Sequence, residues 1–149
     1  MTHYKFFQAS LFAVLSLFIG AQVFAQQDVI DKRQKLMKEQ SAASKAIKAA
    51  VETKDYATIE AKAKDIVGTA DKIVESFPKG STKGKTKAKD DIWAKPDEFS
   101  NNAKSLKKAA SELADAAKAK DPGIDVKVKA LGEVCSGCHK ANRAEKYSE

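Results

Sequence analysis

The stretch "IDVKVKALGEVCSGCHKANR", Ile124 to Arg143, supports two readings at once. Ile124, Val128, Leu131, Cys135, Cys138 and Asn142 recur at alternating steps of four and three. That spacing marks one face of an amphipathic helix, with lysines and acidic residues filling the other face. Both cysteines of the chain lie on this inward seam, so the residues that carry the chemistry are placed by the same pattern that builds the core.

Working outward, three further seams obey the same rule. Phe99, Ala103, Leu106, Ala110, Leu113 and Ala117 form one, and Ile59, Ala63, Ile66, Ala70, Ile73 and Phe77 form another. The first in chain order runs Ile30, Arg33, Met37, Gln40, Ser44, Ile47 and Val51. The prolines, Pro78, Pro96 and Pro122, fall between seams rather than within them. "ETKD" at 52–55 and "AKDPG" at 119–123 read as short joints, whereas "PKGSTKGKTKAKDDIWAKP" at 78–96 is too long for a tight hairpin. The expected fold is all-α: an antiparallel four-helix bundle with a long crossover loop between helices 2 and 3, pinned by Ile92 and Trp93. These seams hold almost nothing large and aromatic, and the first one turns Arg33, Gln40 and Ser44 inward. A bulky, partly polar group is therefore missing from the core.

The N-terminus, "MTHYKFFQASLFAVLSLFIGAQVFA", has a lysine ahead of a short apolar run and small residues at 23 and 25. It reads as a signal peptide over residues 1–25, cleaved after Ala25, and the apolar run is shorter than the ~20 residues needed for stable membrane insertion. One domain, residues 26–149, is expected to follow in the periplasm. The leader removes only Lys5 from the 27 basic residues, so the remaining 26 face 20 acidic ones, a net charge of +6. Export and the lack of interleaved aromatics argue against nucleic acid as a partner. After the leader the chain keeps a single histidine, His139, and a single methionine, Met37.

Four chemistries compete for Cys135 and Cys138. A redox dithiol belongs at the start of a helix that follows a strand, and no strand pattern exists here. A structural zinc needs a fourth ligand that the chain lacks, and a local disulfide would be strained on a helix. The pentapeptide C-x-x-C-H is the attachment signature of c-type haem, and it fits. On a helix the two thiols share one face at i and i+3, where each can reach a vinyl group, and His139 at i+4 from Cys135 is aimed at the iron. One covalent haem c is expected.

These residues together resemble a class II c-type cytochrome of the cytochrome c′ family. The likeness covers nearly the whole chain after the leader: a haem motif near the C-terminus followed by a basic residue, here Arg143, a first helix like "DVIDKRQKLMK", and a crossover like "FPKGSTKGKTKA" with Ile92, Trp93 and Phe99. The resemblance implies that Met37, one turn after Arg33 on the same face, stands at the sixth iron position. It places the chain in the low-spin His/Met-ligated branch, with His139 and Met37 on the metal and Arg33 near a propionate. Read alone, Met37 is a gap-filling core residue and Arg33 a solvated ion pair on the bundle rim. With both axial positions filled, the expected role is one-electron transfer and not enzymatic catalysis. Lys32, Lys35, Lys38 and Lys140 would favour acidic redox partner proteins. The competing reading is a protein that binds nitric oxide or carbon monoxide at an open or displaceable sixth site. A homodimer is compatible with either.

Overall fold

The structure, a computed structural model, describes the backbone of residues 3–147 and the side chains of residues 26–147. The leader expected at 1–25 therefore falls outside the described side chains. Five helices follow in order: α1 (His3–Glu52), α2 (Tyr56–Ala70), the short α3 (Asp91–Ala94), α4 (Pro96–Lys118) and α5 (Ile124–Asn142), with a 3-10 turn at Val74–Ser76. The described residues contain no β-strand. None of their helices is long and apolar enough to cross a membrane.

The four long helices make the bundle. Seams two and three are buried as expected: Ile59, Ala63, Ile66 and Ala70 on α2 meet Phe99, Ala103, Leu106, Ala110, Leu113 and Ala117 on α4. Alanine at alternate turns lets these two helices approach closely, and each fully buried isoleucine or leucine between them contributes about 1.5–3 kcal/mol. The α2 helix stops at Ala70, earlier than its seam, yet Ile73 remains buried and Phe77 half-buried through the 3-10 turn.

Seam one divides. Leu36, Ala43, Ile47 and Ala50 are buried against the core, while Met37, Gln40, Ser44 and Val51 are half-buried one position away. The cause is the packing order. The α2 helix lies against both α1 and α4, and α4 lies against α5, but α1 and α5 barely touch. One flank of α1 thus faces protein and the other faces a gap, and the predicted stripe runs along the boundary between them.

The joints follow local chemistry. Lys54 (φ 55°) and Lys120 (φ 52°) each take one left-handed step to end a helix, and the amides that follow bond back to the last turn, Asp55 N to Ala50 O and Asp121 N to Ala116 O. Asp55 then caps α2 by accepting from the Thr58 amide at 3.0 Å. Pro96 sits in the first turn of α4, with Asp97 and Glu98 beside it and Lys118 in the last turn, matching the helix dipole at both ends.

The crossover is held at both ends. Ile92 is buried, and the Trp93 indole N–H donates to the carbonyls of Phe77 and Pro78, both at 3.0 Å. Phe77 meets Phe99 edge-on at 4.9 Å, which ties the start of the loop to α4. Farther along, Ala88 pairs with Arg143 as an isolated antiparallel bridge, with Lys89 N donating to Asn142 O and Ala144 N to Lys87 O. The loop therefore reaches across one end of the α1–α5 gap and clasps the end of α5.

Candidate haem-attachment site

The gap between α1 and α5 is a cavity of about 430 Å3, within the size range of small-molecule and cofactor pockets. Cys135, Cys138, His139 and Arg143 line it from α5 and its C-terminal end, and Arg33 and Met37 line it from α1. All six residues singled out in the sequence thus share one chamber. Phe77, Phe99, Leu106 and Ile73 give it an apolar floor.

The α5 residues arrive by helical spacing alone. Cys135 and Cys138 are half-buried free thiols, so no disulfide joins them. Burial pushes both thiols above their ordinary range, and for Cys135 the neighbouring Cys138 adds to the effect. Asn142 donates to the Cys138 carbonyl at 3.0 Å and stiffens the last turn. His139 is exposed at the cavity mouth. Desolvation first, and the Arg143 cation second, hold it below the usual histidine range, which keeps a neutral imidazole available as a donor.

Arg33 departs from the rim position that its isolated reading allowed. Its residue is 3% exposed, and its guanidinium donates to Ser81 Oγ at 2.9 Å, Ser81 O at 3.0 Å and Thr86 Oγ1 at 2.6 Å. It also lies 4.9 Å from the Phe77 ring centroid and 5.9 Å from that of Trp93. Burial lowers its pKa from the ordinary value. Among the described residues no carboxylate forms an ion pair with it. A buried cation on a cavity wall without an acidic neighbour favours an anionic ligand group.

Ser81 and Thr86, which seat Arg33, carried no assigned role in the sequence. Their only signal was membership of the family-like crossover "FPKGSTKGKTKA", in which nothing sets them apart from Thr82. Gln34 and Tyr147 also line the cavity; Gln34 falls off the seam and Tyr147 lies beyond the end of α5, so periodicity could not have found either. Of the four lysines expected near the cofactor edge, all are exposed and Lys38 alone lines the cavity.

The donor set fits haem c. Two thiols at i and i+3 face the chamber, an imidazole follows, and the wall opposite holds a thioether and a cation lacking an acidic partner. No group of three His, Cys, Asp or Glu side chains able to hold a bare metal ion occurs among the described residues. When bound, the haem supplies one-electron redox chemistry and an iron whose sixth position can take another ligand.

Comparison with known proteins agrees. A family model described as Cytochrome C′ matches residues 28–143. Cytochrome c-556 of Rhodopseudomonas palustris is 31% identical over 132 residues, covering 80% of this chain and 85% of that protein. Cytochrome c′ of Rhodospirillum rubrum is 38% identical over 85 residues, 56% of this chain, and the match spans 58% of the relative's own length. Among solved structures, cytochrome c′ of Shewanella frigidimarina is 27% identical with a TM-score of 0.74, covering 80% of this chain and 97% of that one. The Alcaligenes xylosoxidans cytochrome c′, solved as the nitric oxide complex of a mutant, shares the fold at 22% identity and a TM-score of 0.73, covering 81% and 97%. The bundle, its covalent haem c on Cys135 and Cys138, and the matched span place this chain in the cytochrome c′ family.

Proposed function

We propose that the protein is a periplasmic cytochrome that binds a small gas, nitric oxide or carbon monoxide, at the sixth position of a haem whose fifth ligand is His139. Family membership supports this reading over the electron-carrier expectation, as does the nitric oxide complex of a relative with the same fold. The observation that carries it is the make-up of the wall opposite α5. Among the α1 side chains that line the cavity, Met37 is the only soft donor, and Ile73, Phe77, Phe99 and Leu106 surround the chamber with apolar surface. A thioether is neutral and needs no proton to leave, so it is a displaceable ligand, and an apolar chamber suits a diatomic gas. Arg33 and Arg143 would hold the propionates by charge-assisted hydrogen bonds.

A second reading stands on Met37 itself. It is the only methionine after the leader, and it lines the cavity from the helix facing His139. If its sulfur holds the iron firmly, the protein is a His/Met one-electron carrier of the low-spin branch. Optical spectra separate the two. Gas binding predicts a ferrous holoprotein that takes up carbon monoxide readily, with Met37→Leu changing uptake little or raising it modestly. A low-spin ferric protein with a weak near-infrared sulfur-to-iron band would overturn that reading in favour of the carrier, provided it resists carbon monoxide until Met37→Leu opens the site.

A further inference from the structure

The positive charge of this protein is concentrated in one place. Residues 26–149 carry 26 basic and 20 acidic side chains, and five of those basic residues fall between Pro78 and Lys89, where there is no carboxylate at all. Without that stretch the remainder is nearly neutral, 21 against 20. The ion pairs follow the same division. Those among the described residues engage Lys62, Lys64, Lys107, Lys108, Lys127 and Lys129, all on α2, α4 and α5, and none engages a crossover lysine. Lys79, Lys83 and Lys85 are exposed.

The fold fixes this charged segment beside the cavity. Arg33 grips it through Ser81 and Thr86, and Gln34 donates to Lys85 O at 2.8 Å. The bridge between Ala88 and Arg143 carries it to the end of α5, four residues beyond His139. The loop has no large apolar side chain between Lys79 and Lys89 that could insert into another surface. Its contribution is therefore a field, positioned at the mouth of the haem chamber.

We propose that the crossover loop is the docking surface for an acidic electron-donor protein, which reduces the haem across the cavity mouth. The inference rests on the haem reading above and holds for either sixth-position state, since a gas-binding cytochrome also needs a source of electrons to become ferrous. In the step, one electron leaves the reduced centre of the donor and converts ferric haem to ferrous; no bond is made or broken. An acidic protein is favoured over an anionic membrane because the charge lies at the redox site and lacks the apolar anchor an interfacial segment uses.

The test uses the full haem-loaded protein and reduced plant-type ferredoxin as an acidic one-electron donor probe. Lys79→Glu, Lys83→Glu and Lys85→Glu are combined in one variant. A control variant combines Lys62→Glu, Lys108→Glu and Lys129→Glu, the same change in net charge on the ion-paired helices. Stopped-flow reduction at low ionic strength should slow by about tenfold or more in the crossover variant and by under about twofold in the control. The difference should vanish near ~0.5 M salt, where screening is short-ranged. Equal slowing in both variants would show a net-charge effect and overturn the assignment, as would no slowing in either. Binding to phosphatidylglycerol vesicles that is lost in the crossover variant, with ferredoxin kinetics unchanged, would assign the loop to a membrane surface instead. Mass and spectrum are checked first: a wild-type chain without covalent haem would end the underlying reading, and the proposal with it.

Discussion

Replacing Arg33 with leucine should destabilise the holoprotein by about 2–4 kcal/mol through its protein contacts alone, with the loss of the propionate contact adding to that figure. Hydrogen bonds from a charged donor contribute about 1.5–3 kcal/mol each, so the three bonds to Ser81 and Thr86 set an upper bound of roughly 5–9 kcal/mol. Two offsets reduce it. Losing the guanidinium also removes the cost of keeping a cation 3% exposed, and the hydroxyls are not orphaned. Ser81 Oγ still donates to Pro78 O at 2.8 Å, and Thr86 Oγ1 still accepts from Ala88 N at 3.1 Å. What remains is the Ser81 carbonyl stripped of its donor, about 1–3 kcal/mol, and the lost stacking on Phe77 and Trp93, about 0.5–2 kcal/mol. Urea unfolding followed at 222 nm on haem-loaded protein gives the loss from the shift in midpoint. Amide exchange should rise across residues 80–89, because the crossover is released from α1, while α2 and α4 stay protected. Arg33→Lys should fall between, keeping the charge but not the fork that reaches both partners. A loss under about 0.5 kcal/mol with unchanged crossover exchange would refute the view that this buried cation ties the loop to the bundle.

Four further outcomes are expected. The denatured protein should retain one haem by mass, and Cys135→Ser or Cys138→Ser should each leave at most one thioether; haem released into acidic organic solvent would contradict the attachment. Gly84 has φ +119° and a Cβ there would come within 2.7 Å of the buried Ile30 Cδ1, so Gly84→Ala should cost about 1–3 kcal/mol. Gly68 in α2 has open space around its Cβ, and Gly68→Ala should instead stabilise by about 0.4–1 kcal/mol in the same urea assay. The Asp55 carboxylate is held below its ordinary range by the Thr58 hydroxyl first and the Thr58 amide next, so its capping contribution is present above the unfolded-state pKa and is lost as pH falls through the lower folded-state value. The stability gap between wild type and Asp55→Ala should therefore be full at neutral pH and shrink in acid, and a gap that widens in acid would reverse the assigned sign.

Residues 124–143 show how far one dimension reaches. The period of three and four residues places Cys135, Cys138 and Leu131 on one helix face because side-chain direction repeats with backbone geometry, whatever the neighbours are. The same reasoning held for α2 and α4, whose seam residues are buried throughout the two helices, since both are flanked by protein on their apolar sides. It blurred for α1. There Ile30, Arg33 and Ile47 of the seam are buried, but Leu36, Ala43 and Ala50 join them while Met37, Gln40, Ser44 and Val51 stay half-buried, because the helix sits at a corner and a periodicity argument assumes one partner direction where α1 has two.

The amino-acid order alone therefore determined the all-α class, the joints at 52–55 and 119–123, the haem motif and the identity of the candidate ligands, all of which depend on contacts a few residues apart. Tertiary structure decided what depends on residues far apart in the chain. It separated α1 from α5 to leave a chamber, gave the inward-facing Arg33 its seat on Ser81 and Thr86, and folded the lysine-rich crossover onto the end of α5. Those partners lie 48 to 58 residues apart in the chain, and no local pattern encodes a pairing at that range. Only the closing of the bundle around its missing core brings them together.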